Sequence, residues 1–370
     1  MAELNPYKDA GVDYDVLDAL KRQALRAALS TSEALHTHHG RAIDASRGEP
    51  AFVFEVAGLT LAVVQECLGT KSVLARRFQE ITGENRFADV AYDAVSAIAN
   101  DLATVGALPM VISAYFAVGS ARWFDDRTRT VALIEGWKRG CEDAGATWGG
   151  GESPALPGLV SPDDIELAGS GVGYIPNRRQ PLLGEQLTPG DEIVLVASSG
   201  IHTNGVTLAM KAAGQLGLGL RQTLPSGEKF GSALLRPSLI YVPLVRELLR
   251  ASLEIAYMSH ITGHGIRKLM RADRDLTYRV FKLPAVPEVL QLVVDAMNLD
   301  PRNAYGTLNM GVGFAVFARK GAGEQVVASA ERCGFKALLA GVVEEGPRRV
   351  VVEPLGLEFD SEDLKLRIGS

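Results

Sequence analysis

Apolar positions along the chain fall alternately into helical and strand periods. Across residues 16–29, Leu17, Leu20, Ala24, Ala28 and Leu29 recur near helical spacing while Lys21, Arg22 and Arg26 fall on other faces, which predicts a helix. A polar stretch, His36-Thr37-His38-His39-Gly40, follows it. Residues 52–56 and 59–64 read as two strands around Ala57-Gly58, a hairpin. Residues 87–105 read as a helix, 110–118 as a buried strand and 166–175 as a further strand. Between these strands, 127–144 reads as a helix with Leu133, Ile134, Trp137 and Cys141 along one side.

A polar, turn-rich segment at 176–189 marks a boundary. Beyond it, Gly190-Asp191 leads into a strand at 192–197, a loop at 198–205 and a helix from Val206. Later helices are expected at 287–297 and 323–333, and strands at 313–318 and 349–352. Strands and helices mix in both halves, so the class is α/β (α+β) with two domains, at 1–176 and 177–370. The length agrees, since 370 residues at ~150 per domain suggest about two.

Composition narrows the classes of function. Hydrophobic residues make up 47% and charged residues 22%, so the chain has the apolar surface to fold. A net charge of −6 without a basic stripe argues against a nucleic-acid partner and against binding to anionic membranes. The most apolar stretch, 51–64, carries Glu55 and is too short to span a bilayer. Residues 1–18 contain no apolar signal-peptide core. Cys67, Cys141 and Cys333 form neither a CxxC pair nor an even disulfide set. A cytoplasmic protein is the expectation. The 39 glycines cluster, at Gly149-Gly150-Gly151, Gly263-His264-Gly265 and Gly311-Val312-Gly313, as loops built around something would require.

Four constellations could carry chemistry. Glu66-Cys67-Leu68-Gly69-Thr70-Lys71 places a carboxylate, a hydroxyl and an ammonium after a strand, which suits a metal-bound phosphate. A turn with solvated charges is an equal reading, and the spacing is not that of a Walker loop. Asp93 and Asn100-Asp101 put two carboxylates near one helix face, able to share a divalent cation or simply to be solvated. Gly149-Gly150-Gly151-Glu152-Ser153 offers backbone N–H groups to an anion beside a metal-binding carboxylate, or is a plain turn. Finally, 198–205 (with Ser199, His202 and Asn204) and 259–265 (with His260 and Thr262) each set a His among hydroxyls and glycines after a strand. Such loops can hold phosphate and move protons. His36, His38 and His39 have no partner at a metal-site spacing, and Cys67 has no identifiable base.

Taken in order, these segments resemble one family, aminoimidazole ribonucleotide synthetase (phosphoribosylformylglycinamidine cyclo-ligase). Tyr7-Lys8-Asp9-Ala10-Gly11-Val12-Asp13 is close to the family's YxxAGVD, and Leu68-Gly69-Thr70-Lys71 to the end of DGVGTK. Asp93 with Asn100-Asp101-Leu102 and Gly106-Ala107-Leu108-Pro109 is similar to DxVAMxxNDL…GAxPL. Gly150-Gly151-Glu152 with Pro157-Gly158 is similar to GGETAEMPG, residues 198–205 to SSGLHSNG, 260–265 to HITGGG, and 309–313 to FNMGIG.

The resemblance implies a two-domain protomer whose N-terminal sheet pairs with a partner's into a barrel-like homodimer. It also implies ATP and Mg²⁺ as cofactors and a small phosphorylated substrate. The implied reaction phosphorylates an amide oxygen, after which an internal amine closes an imidazole ring and phosphate leaves. Carried over by position, Glu66, Asp93, Asp101 and Glu152 are the implied metal ligands, and Lys71, His202 and His260 the implied catalytic residues. Gly69, Thr70, Lys71, Asn100, Asp101, Gly150, Gly151, Glu152, Ser199, Asn204 and Thr262 are the implied nucleotide-binding positions. The chain departs from the pattern at Glu66 and Cys67 (for Asp-Gly), Leu68, Ala114, Ala155, His264 and Leu308, and shows 36–47 in place of a glycine-rich loop. Three readings follow: an active cyclo-ligase, a paralogous enzyme activating another amide or acid with ATP, and a nucleotide-binding protein without turnover.

Overall fold

Two sheets organise the computed structural model, which describes residues 14–176, 180–364 and 366. The Tyr7–Asp13 motif therefore lies outside the described residues. Helix α1 (Tyr14–Leu29) comes first, followed by strands β1 (Gly40–Ile43), β2 (Phe52–Val56) and β3 (Leu59–Cys67). Helices α2 (Lys71–Thr82) and α3 (Phe87–Thr104), strand β4 (Leu108–Val118), helix α4 (Arg127–Ala144) and strands β5 (Thr147–Glu152) and β6 (Ile165–Ile175) complete the first half. Its strands form one sheet in the order β1-β2-β3-β6-β4-β5. The expected hairpin is there: Val56 pairs with Leu59, and Ala57 and Gly58 take φ of 50° and 76°. Two such left-handed residues make a type I′ turn, whose twist matches that of the flanking strands.

Two expectations fail locally. The triple glycine is not an anion-binding loop but part of the edge strand β5, parallel to β4, with Gly151 opposite Ala114. A Cβ on Gly151 would meet the Ala114 backbone, so glycine lets the two strands close. Lys71 does not follow a free strand end; it opens α2, its side chain wholly buried.

Helix α3 is buried along nearly its whole length and lies on β3 and β6. Alternation along the strands gives the sheet a second face, carrying Phe52, Phe54, Leu61, Val63, Val111, Val172 and Tyr174 in cross-strand register. These side chains are half-buried to exposed, the rings of Phe52 and Phe54 stacking 6.0 Å apart.

The second half contains β7 (Glu192–Ala197), α5 (Val206–Gln215), α6 (Phe230–Leu234), α7 (Val242–Arg250), β8 (Ile255–His260), β9 (Leu276–Val280), α8 (Glu288–Ala296) and α9 (Pro301–Thr307). Strand β10 (Val312–Ala318), helix α10 (Gly323–Arg332) and strands β11 (Ala337–Glu345), β12 (Arg349–Val352) and β13 (Leu357–Asp360) follow. The sheet order is β13-β12-β9-β11-β7-β10-β8, antiparallel except where β12 meets β9. Strands β8 and β10 are buried at every position, β10 being apolar throughout and β8 ending in the polar pair Ser259-His260.

The two halves are joined by buried polar contacts from α3 and α2. The Asn100 side chain donates to the Leu239 carbonyl and accepts from the Tyr241 N–H, both at 2.8 Å. Asp93 accepts the Ser238 N–H at 2.6 Å, and the Lys71 ammonium donates to the His202 carbonyl at 2.8 Å. Asn100, Asp93 and Lys71, singled out from sequence as cofactor residues, are thus engaged in the seam between domains.

Candidate functional site

A cleft of about 340 Å³ opens on that seam. Period-two alternation turns Glu66 to the same face of β3 as Ala62 and Val64, toward α3, where Asp101 faces the cleft. The second domain contributes Asn204, His260 at the end of β8, and Thr262, His264, Lys268 and Arg271 from the turn after it. Helix α1 lays Lys21 and Leu25 along the rim, and Glu49 closes another side.

Asp101 and His260 meet with Oδ1 and Nδ1 2.7 Å apart. Burial pulls the Asp101 carboxyl upward, but the His260 hydrogen bond, with the charges of Lys268 and Arg271, outweighs it and holds the group below its ordinary value. Glu66 goes the other way: burial, then the neighbouring Asp101 charge, pushes it up to about 8. The two neighbouring carboxyl groups are thus shifted in opposite directions. Opposite them, burial and the Arg271 charge push the Lys268 ammonium down to about 8. That ammonium donates to the Thr262 hydroxyl, and Arg271 donates to the Gly48 carbonyl at 2.8 Å. The cleft has an acidic wall and a basic wall.

Of the residues expected from sequence, the cleft brings together Glu66, Asp101, Asn204, His260 and Thr262. Asp93 is not among them. It shares a helix face with Asp101, but eight residues of helix separate them by about 12 Å along the axis. Two ligands of one Mg²⁺ lie within about 4 Å of each other. Asp93 instead pairs with Lys71, both side chains wholly buried, so Lys71 has no free path to a phosphate. Among the described residues no three His, Cys, Asp or Glu side chains converge on one metal position, so the four expected ligands do not assemble within a protomer.

His202 also departs from its expected place. Its ring is buried, tilted against Tyr241, and Nε2 accepts the Ser199 N–H at 3.1 Å. That acceptor role assigns the proton to Nδ1, which has no partner among the described residues. Burial, with the charges of His260 and Lys71, keeps the imidazole well below its usual basicity. Ser199 donates its hydroxyl to the Pro237 carbonyl at 2.6 Å, within the seam. Gly69 donates its N–H to Glu166, Thr70 meets Thr207 hydroxyl to hydroxyl at 3.1 Å, and Gly150, Gly151 and Glu152 lie exposed on the edge strand, none of them lining the cleft.

Sequence reasoning missed Lys21, Glu49, His264 as a partner, Lys268 and Arg271. The available signal was the run Arg267-Lys268…Arg271 directly after the 259–265 loop. His264 holds φ of 75°, a left-handed conformation that glycine adopts without cost, and its Nε2 lies 3.1 Å from the Asp18 carboxylate of α1.

Two mixed α/β domains share this polar cleft, and a cleft between domains is the usual place for a small-molecule site. The chain belongs to the AIR synthase related family: residues 48–175 match the family's N-terminal domain and residues 188–353 its C-terminal domain. A phosphoribosylformylglycinamidine cyclo-ligase from Carboxydothermus hydrogenoformans is 32% identical over 95% of this chain and 99% of its own. Another of that name, from Methanobrevibacter smithii, is 28% identical over 87% of this chain and 89% of its own. The expectation of a ligase-type enzyme agrees with those names. Among solved structures, the HypE–HypF complex aligns with a TM-score of 0.60 at 15% identity, covering 85% of this chain and 93% of that one. A ThiL structure complexed with AMPPCP and TMP aligns at 0.58 and 17% identity, covering 85% and 90%. These likenesses show that the two-domain fold is the one expected from the motifs.

Proposed function

We propose that the chain is an ATP-dependent cyclo-ligase of purine biosynthesis that closes formylglycinamidine ribonucleotide to aminoimidazole ribonucleotide. The carrying observation is full-length likeness, across both domains, to relatives of that name. The donor set is compatible with the implied cofactors. Glu66 and Asp101 are hard oxygen donors on one wall, and Mg²⁺ is usually held by one or two carboxylates together with phosphate oxygens. Bound ATP supplies the phosphoryl group that makes an amide oxygen a leaving group. His260 holds the Asp101 carboxylate in place and can carry a proton on its other ring nitrogen. Asn204 and Thr262 offer donors that orient a polar substrate, and α1 restricts water at the rim. In this reading Lys71 and His202 act from the buried seam, fixing the 198–205 loop. Gly69, Thr70, Gly150, Gly151 and Glu152 would meet the nucleotide outside the cleft.

A homodimer through the open sheet face completes the proposal, its support being the half-exposed apolar side chains of β2, β3, β4 and β6. Among the described residues no helix is long and apolar enough to cross a membrane, and the three cysteines are free thiols, which is compatible with the proposed cytoplasmic location.

His264 favours a second reading, a paralogous enzyme with another amide or acid. It puts an imidazole into the cleft where the resemblance has glycine. Phosphate release from ATP, with and without formylglycinamidine ribonucleotide, separates the two. Substrate-dependent release with aminoimidazole product supports the cyclo-ligase. Its absence in folded protein that still binds Mg–ATP supports the paralogue.

A further inference from the structure

The basic wall of the cleft has no role in that reading. It consists of Lys268 and Arg271, with Lys21 reaching over the rim from α1. Lys268 is 7% exposed, an unusual place for an ammonium, and burying an ion is costly without a compensating partner. Its hydrogen-bond partner among the described residues is the neutral Thr262 hydroxyl. Arg271 and Lys21 both act against its charge. The Asp101 and Glu66 carboxyl groups favour that charge, with Glu66 itself in hydrogen-bond contact with Asp101. Asp101 is bonded to His260, and Glu49 accepts the Tyr257 hydroxyl at 2.8 Å while lying 3.7 Å from Arg271.

Resting on the cyclo-ligase-type reading of the same cleft, we propose that Lys21, Lys268 and Arg271 form a binding site for an oxyanion, the phosphate group of the small-molecule substrate, separate from the phosphates of ATP. A tetrahedral oxyanion can take the point charge of an ammonium and the fork of a guanidinium together. Thr262 supplies a hydroxyl beside them. Lys21 belongs to a helix that is otherwise mostly exposed, and its place over the cleft is fixed by the buried Asp18, which contacts both Lys21 and His264 at 3.1 Å. The Asp18–His264 pair is thus a positioning pair: it holds Lys21 at the cleft that Lys268 and Arg271 also line.

The test is calorimetric titration of the full chain with inorganic phosphate, without nucleotide or metal, and a separate titration with Mg–ATP. Saturable phosphate binding is expected, weakened about tenfold in Lys268→Met, largely kept in Lys268→Arg, and weakened about threefold in Lys21→Ala. Lys21 is 57% exposed at its side chain, so its variant keeps the test valid if Lys268→Met fails to fold. Mg–ATP affinity is expected to stay within about twofold in Lys21→Ala, with phosphate and Mg–ATP binding together. Absence of saturable phosphate binding, or equal binding in both substituted proteins, overturns the site. Competition between phosphate and Mg–ATP also overturns it, by giving the cations to the nucleotide. Phosphate binding that depends on Lys268 in a chain that binds no Mg–ATP leaves the oxyanion site standing and removes the ATP reading.

Discussion

His260 Nδ1 lies 2.7 Å from Asp101 Oδ1, so the end of β8 in one domain and α3 in the other meet inside the cleft. Asp101 faces the cavity, and its carboxyl is held below its ordinary value, which favours the charged form that a hard cation needs. Asp101→Asn keeps the shape and removes the charge. The expected outcome is Mg–ATP binding weakened by about tenfold or more, read by calorimetry, with the fold intact by circular dichroism. Unchanged binding would remove Asp101 from the metal site.

Lys71 and Asp93 give the opposite expectation. Both are wholly buried and paired with each other, and Lys71 also holds the His202 carbonyl. Removing one partner leaves a buried charge uncompensated, so Lys71→Met is expected to lose on the order of 3–5 kcal/mol in denaturant unfolding. The double replacement Lys71→Met with Asp93→Leu should recover most of that. A Lys71→Met protein as stable as the parent but without turnover would return Lys71 to a direct catalytic role.

Much of the fold was legible because the relevant patterns are local. The Ala57-Gly58 hairpin and the helix at 127–144 carry their own turn residues and periodicity. Strand β5 was not legible, since Thr147–Glu152 contains three glycines and gives no alternation; only its parallel neighbour β4 makes it a strand. The site was legible in part for the same reason. Glu66, Asp101 and His260 stand in recognisable segments, whereas Lys268 and Arg271 enter the cleft through a short helical turn whose direction only the tertiary fold sets. Asp93 shows a limit of face-based reasoning: two residues on one helix face can still be far apart along the axis.

The Asp18–His264 contact predicts a pH dependence of stability. Burial, aided by the Arg267 and Lys268 charges, outweighs Asp18 and holds the His264 imidazole down at about 4, against an ordinary value of 6.5. Between those values the unfolded chain binds more protons than the folded one, so stability falls as pH drops from about 6.5 toward 4. Asp18, held below its usual value, adds a further loss at still lower pH. The His264 contribution is on the order of 3 kcal/mol across the window. His264→Gly relieves the left-handed strain and should flatten the melting-temperature profile over that range. A parent and a variant with the same slope would show that other groups set it.

The open sheet face makes the last prediction. Phe54 pairs with Leu61, Phe52 with Val63, Leu61 with Tyr174 and Val63 with Val172, so their side chains line one continuous apolar face. Tyr174 is 39% and Val111 38% exposed in the single chain. A contiguous apolar face on a soluble domain is usually covered by a partner. A second copy of the same face would cover it and extend the sheets toward a barrel. Light scattering should therefore report a dimer at micromolar concentration. Val111→Asp is expected to shift it to monomer, because a charge buried in such an interface costs several kcal/mol without a partner, on the order of the binding energy itself. Since Val111 is already exposed in the protomer, circular dichroism of the variant should keep the parent's secondary structure. A parent chain that scatters as a monomer would remove the barrel dimer.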